Sequence, residues 1–193
     1  MRFECPVCPE GARCKHEKTL ENGTKAKCNE PLDVFGWHAR KCGWGGSRTA
    51  RHDRLRDRHA AKHVAVTGLG ALTEQRVPSW DRLNPVTGEL EEAKLDVSTR
   101  DAVTGQPIHV DWSVACEHST YEPRRRARSN KDGLAAANRV DEKRTRYPPS
   151  GGELVPAVLE SGGRPSDELV ALVKSYGKGL SLSERSEVIG GMW

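Results

Sequence analysis

The sequence predicts an α+β protein in which a small amino-terminal Cys/His module precedes a sheet with flanking helices. Three observations predict it. Five of the six cysteines fall within the first 42 residues, interleaved with His16 and His38. Behind them, segments that alternate apolar and polar residues with a period of two are interspersed with segments of helical period. Read in order, these give helix, strand, strand, strand, helix, strand, helix. At 193 residues with 35% hydrophobic content, the chain can bury only a modest core. The pattern divides it into a zinc-binding module at 1–46, a main domain at 47–177 and a carboxyl-terminal tail at 178–193.

In the first module, Cys5-x2-Cys8 is followed by Cys14, His16 and Cys28, and then by His38-x3-Cys42. Thiolates and imidazoles at such spacings can converge on tetrahedral zinc while the intervening loop stays free. The spacing favours Cys5, Cys8, His38 and Cys42, with Cys28 able to replace one of the first pair and Cys14 and His16 left spare. Clustered cysteines in a chain without a secretory leader favour metal over disulfides and an intracellular setting. No apolar run is long enough to span a membrane.

The main domain opens with a helix over TARHDRLRDRHAAKHVAV, stopped by Thr67-Gly68. Its apolar stripe of Leu55, Ala61, Ala65 and Val66 is thin, and His52, His59 and His63 read as packing or surface residues. ALTEQRVP reads as a strand carrying Glu74, and WDRLNPVTGELEE as a loop rich in turn residues. AKLDVST and IHVDWSV then form a hairpin that closes near Thr104-Gly105. Alternation puts Ala93, Leu95 and Val97 on one side and Lys94, Asp96 and Ser98 on the other, while His109, Asp111 and Ser113 oppose Ile108, Val110, Trp112 and Val114. Asp96 then lies across from Asp111 to Ser113, with directly opposed Cβ atoms about 5 Å apart. Two carboxylates so placed can chelate a divalent cation, or can simply be solvated on an open sheet face.

A helix from about Ser129 to Tyr147 places Ala136, Val140, Lys143 and Tyr147 on one stripe, so Lys143 points inward, to snorkel at the core edge or to enter a site on the sheet. LVPAVLE is a buried strand, and Ser166 caps a last helix whose stripe is Leu169, Leu172, Val173 and Tyr176. Net charge is only +4, from 31 basic and 27 acidic residues, so the total says little about partners. The distribution says more, because arginines crowd 48–58, including Arg51 and Arg54, and again at Arg124, Arg125, Arg126 and Arg128. Such clusters suit a phosphate backbone.

The segments LDVFGWHARKCGWGGSRTARHDRLRD, LTEQRVPSWD, EEAKLDV, HVDWSV, DEKRTRY and LVPAVLESGGR, in this order over roughly residues 28 to 165, resemble the carboxyl-terminal region of reverse-transcriptase polyproteins from non-LTR retrotransposons. In that family a Cys/His finger precedes a restriction-endonuclease-like domain of the PD-(D/E)xK superfamily, with an αβββαβ core. The resemblance implies a nuclear, metal-dependent DNA endonuclease that nicks target sites, with RNA as a second ligand and a reverse-transcriptase domain as its companion. Asp96 matches the first metal-binding aspartate, with Leu95 where the superfamily has proline, and Asp111 matches the second acidic position. Glu74 matches an early acidic residue that completes the shell of Mg²⁺ or Mn²⁺. Ser113 stands where lysine is usual. Lys143 is the best substitute cation and Lys94 the second. Arg51, Arg54 and the 124–128 cluster would hold the nucleic-acid backbone. The rival expectation is a noncatalytic nucleic-acid-binding protein built on a zinc module and a degenerate nuclease fold, and RNA cleavage is a third.

Overall fold

The computed structural model describes residues 11–32, 38, 42–101, 103–116, 131–149 and 152–176. Strands β1 (Glu17–Thr19) and β2 (Lys25–Lys27) form a short antiparallel hairpin. Helix α1 (Ser47–Thr67) follows, and it ends as the sequence predicts, with Gly68 at φ 70 donating its N–H to the Val64 carbonyl. That left-handed conformation costs glycine nothing and so closes the last helical turn.

The main sheet has four strands in the order β3-β6-β7-β8. Strand β3 is Leu72–Arg76, β6 is Lys94–Arg100, β7 is Pro107–Ala115 and β8 is Glu153–Glu160. The first two pairings are antiparallel and β7 with β8 is parallel. A parallel neighbour requires a crossover, supplied by α2 (Leu134–Arg146). Helix α3 (Asp167–Tyr176) follows β8, with Ser166 Oγ accepting the Leu169 N–H at 3.3 Å as the sequence predicts. Between β3 and β6, a 3-10 turn (Pro78–Trp80) leads into a two-stranded hairpin of β4 (Arg82–Leu83) and β5 (Leu90–Glu91), where the sequence reads as loop. The described chain is thus α+β, with a mixed sheet and three helices.

Helices cover both faces of the sheet. On one, Val97, Val110, Trp112, Val155 and Ala157 pack with Leu169, Leu172, Val173 and Tyr176 of α3 and with Leu55, Ala60 and Val66 of α1. On the other, Val158 and Ala115 meet Ala135, Ala136 and Val140 of α2. A third cluster joins Val77, Trp80, Ala93 and Leu95 with Tyr147 and Leu154. Leu95 and Val97 therefore pack in different clusters, contrary to the uniform alternation read along this strand. The break falls at Asp96, where the ladder with β7 has ended and where Glu74 of β3 takes φ 53.

Helix α1 also departs from its expected stripe. Ala61 and Ala65 are exposed, while His59 and His63 are buried at 2% exposure each. The thin apolar stripe is thin because histidines occupy the inward face. Their hydrogen bonds form a chain whose direction follows from donor chemistry. The indole N–H of Trp112 can only donate, and it donates to His59 Nδ1 at 3.1 Å. His59 Nε2 must then carry the proton given to the Tyr176 hydroxyl at 2.7 Å, and that hydroxyl in turn donates to His63 Nδ1 at 3.2 Å. His63 Nε2 donates to Thr99 Oγ1 at 2.5 Å, and Thr99 finishes on the Gly70 carbonyl at 3.1 Å. Both rings are satisfied as neutral imidazoles, in keeping with burial pushing His59 down to about 4 and lowering His63 as well.

Candidate metal centre and basic cleft

The amino-terminal cluster consists of Cys14, Cys28, His38 and Cys42, whose ligand atoms all lie within 4.8 Å of one another. Cys14 Sγ lies 3.7 Å from Cys42 Sγ, Cys42 Sγ 3.8 Å from Cys28 Sγ, and Cys28 Sγ 3.3 Å from His38 Nε2. A tetrahedron with zinc–sulfur bonds of about 2.3 Å has sulfur–sulfur edges of about 3.8 Å, so the donors already stand where zinc needs them. Burial and the neighbouring thiols push Cys42 up to about 11, and a cation at the centre would reverse that pressure. The cluster could therefore hold zinc. Cys28, His38 and Cys42 serve as the spacing suggests, but Cys14, read as spare, is a full member of the set. The local reason is the hairpin: Cys14 N–H bonds the Glu30 carbonyl and Cys28 N–H the His16 carbonyl, which brings two distant cysteines side by side. Cys5 and Cys8 lie outside the described residues.

The cluster continues into the main domain. After Cys42 the chain turns through Gly43–Gly46, and the His16 ring packs so closely on Gly45 that a Cβ there would stand 3.2 Å from it. Ser47 then begins α1, whose first turns carry Arg48, Arg51 and His52.

These residues form one wall of a cavity of about 870 Å³, whose floor is the carboxyl-terminal half of β7 and whose other wall is α2 with Arg139 and Lys143, followed by Tyr147 just past its end. Asp111 lines its floor, and the buried Asp96 stands beside Asp111 on the neighbouring strand. The β6–β7 ladder runs from Arg100↔Pro107 to Val97↔Val110, and the next opposed pair would be Asp96 and Asp111, as the sequence predicts. Instead of continuing the ladder, Asp96 Oδ2 accepts the Trp112 N–H at 2.5 Å. The same oxygen contacts His52 Nε2 at 3.1 Å. Burial, then the Asp111 carboxylate within hydrogen-bonding reach, push Asp96 up to about 6, against the opposing pull of His52 and of the Trp112 amide. Asp111 is in direct contact with the Lys143 ammonium, which also donates to the Trp112 carbonyl at 3.4 Å. Lys143 is 5% exposed, and that burial lowers its pKa while Asp111 counters the shift. The result is a row: His52, Asp96, Asp111, Lys143.

The inward lysine on the α2 stripe is thus where the sequence places it. Lys94, the second substitute, pairs with Glu92 at 3.6 Å instead. Glu74 turns to Arg56 at 2.5 Å, and its carboxylate does not converge with those of Asp96 and Asp111 within 4.8 Å. Arg51 lines the cavity, whereas Arg54 is exposed and donates to the Ala50 carbonyl. Arg124, Arg125 and Arg126 lie outside the described residues. Sequence reasoning missed His52 and Arg139. His52 directly follows the predicted backbone-contacting Arg51, and Arg139 precedes Lys143 by one helical turn, which was the available signal.

Neighbouring carboxylates are stabilised by a shared proton or by a cation between them. Hard oxygen donors of this kind suit Mg²⁺ or Mn²⁺. Among the described residues, no helix is long and apolar enough to cross a membrane. No family model matches the chain, and no curated protein matches it in sequence.

Proposed function

We propose that this chain is a metal-dependent endonuclease that hydrolyses phosphodiesters of DNA. The observation that carries the reading is the pairing of the buried Asp96 with Asp111 at the end of the β6–β7 ladder, where Asp111 lines the floor of a cleft walled by Arg48, Arg51 and Arg139. The helix and strand order, with two antiparallel pairings and one parallel, agrees with a restriction-endonuclease-like core, the fold that the resemblance to retrotransposon polyproteins implies. On this reading the protein works in the nucleus beside a reverse-transcriptase domain.

Asp96 and Asp111 would hold Mg²⁺ or Mn²⁺, which when bound polarises a phosphate oxygen and lowers the pKa of a coordinated water. The chain's own residues prepare the ground. The Trp112 amide and His52 fix one oxygen of Asp96 and leave the other for a metal. Lys143 pairs with Asp111 and lends positive charge beside the reacting phosphate. Arg48 and Arg51 attract the backbone, and zinc at the Cys14 cluster would hold their helix end in place.

The test is relaxation of supercoiled plasmid with Mg²⁺ or Mn²⁺ at moderate salt. Asp96→Ala and Asp111→Ala should abolish nicking while salt-sensitive binding survives. Nicking by either variant at the wild-type rate would reject the site. A second reading, a noncatalytic nucleic-acid-binding protein, is favoured by two observations: Lys143 neutralises Asp111, and Glu74 does not join as a third carboxylate. Tight, salt-dependent binding by a wild type that never nicks would select it. Replacing the plasmid by RNA tests the third possibility, since the same carboxylates serve either backbone.

A further inference from the structure

Ser113 lies on the cleft-floor strand β7 two residues beyond Asp111, and its hydroxyl has a defined partner. Arg139 Nε donates to Ser113 Oγ at 3.3 Å. Arg139 is one turn before Lys143 on α2, so both side chains lie over β7 and both line the cleft. They are placed differently. Lys143 is buried and committed to Asp111 and the Trp112 carbonyl. The Arg139 side chain is 48% exposed, with one edge of its guanidinium tied to the floor of the cleft. Its other contact is Glu142 at 2.8 Å, an exposed pair three residues away on the same helix. Such exposed pairs contribute little, so a phosphate can displace Glu142 without large loss. The planar guanidinium offers parallel N–H donors matched to phosphate oxygens, which a lysine ammonium does not.

We propose that Arg139, anchored by the Ser113 hydroxyl, contacts the phosphate that lies over Asp96 and Asp111 and supplies the mobile positive charge of the site. The inference rests on the nuclease reading for its catalytic half. The phosphate contact stands independently of cleavage. Ser113 is then an anchor, and a lysine in its place would present an ammonium from the same strand face.

Three full-length, zinc-loaded variants test this: Arg139→Ala, Arg139→Lys, and Arg139→Ala combined with Ser113→Lys. Binding of a short duplex is measured without Mg²⁺ or Mn²⁺ over a range of salt, and nicking is measured with Mn²⁺. For Arg139→Ala, the slope of log affinity against log salt should fall by about 0.9, one phosphate contact on duplex DNA. Nicking should slow by about 100-fold, the scale of losing one preorganised donor to transition-state charge. Arg139→Lys should keep the slope but recover only part of the rate, and the double variant should nick at least tenfold faster than Arg139→Ala, a modest share of that same loss. An unchanged slope would overturn the phosphate contact, whether or not the wild type nicks. Wild-type nicking by Arg139→Ala would overturn the catalytic half while leaving the nuclease reading intact. A folded double variant no faster than Arg139→Ala would overturn the equivalence of the two positions. If the wild type does not nick but Arg139→Ala loses slope, the nuclease reading fails and the phosphate contact stands.

Discussion

Asp96 gives the site a measurable cost to the fold. Its pKa is raised from 3.8 to about 6, chiefly by burial and then by Asp111. The protonated form is therefore the one the folded state prefers. Stability from this preference is fully present below pH 3.8 and is lost as pH rises through about 6. At about 1.4 kcal/mol per pH unit, the ionised residue costs the metal-free protein about 3 kcal/mol above pH 7. Asp96→Asn keeps an oxygen for the Trp112 amide and removes the charge. The variant should melt higher than wild type at pH 8 by about 6 to 12 °C, taking about 2 to 4 °C per kcal/mol for a chain of this size. The difference should shrink toward zero near pH 4. Thermal melts of zinc-loaded protein without added Mg²⁺ or Mn²⁺, compared pairwise across pH, isolate this term, because other titrations are common to both proteins. Adding Mn²⁺ at pH 8 should raise the wild-type midpoint and leave the variant unmoved. A variant no more stable than wild type at pH 8, or a difference that ignores pH, would refute the burial of the Asp96 carboxylate beside Asp111.

Two further outcomes follow from the described geometry. Because Cys14, Cys28, His38 and Cys42 complete a tetrahedral set, Cys14→Ser should weaken zinc binding by at least about tenfold, while Cys5→Ser retains one zinc per chain; metal analysis after dialysis against a weak chelator distinguishes them. Tyr176→Phe leaves His59 and His63 each short of a partner in a buried site, so chemical denaturation should show a loss of about 1 to 3 kcal/mol with the slope of the transition unchanged.

What the sequence made legible depends on how local each signal is. The period-two alternation around Asp96 and Asp111, with a turn at Thr104-Gly105, suffices to set them opposite one another, because hairpin register is decided within a dozen residues. The placement of Lys143 follows from helical period alone. Membership of the zinc set does not, since Cys14 joins Cys28 through hairpin hydrogen bonds that spacing does not encode. Glu74 escaped for a similar reason: one residue at φ 53 redirects its side chain to Arg56. The histidine row of α1 was hidden by treating inward-facing residues as apolar, when its polar atoms find partners on three other elements, Trp112, Tyr176 and Thr99.

The two end strands of the main sheet share a property that bears on solubility. Strand β3 is kinked by Glu74 at φ 53, and β8 carries Pro156, which has no N–H to offer. A flat margin with free donors and acceptors would invite strands from neighbouring molecules. Here each margin holds one residue that interrupts the run, so growth of the sheet by addition of a foreign strand is checked on both sides. Replacing Pro156 by an ordinary residue would remove one of those guards and open that margin to pairing with a neighbouring molecule.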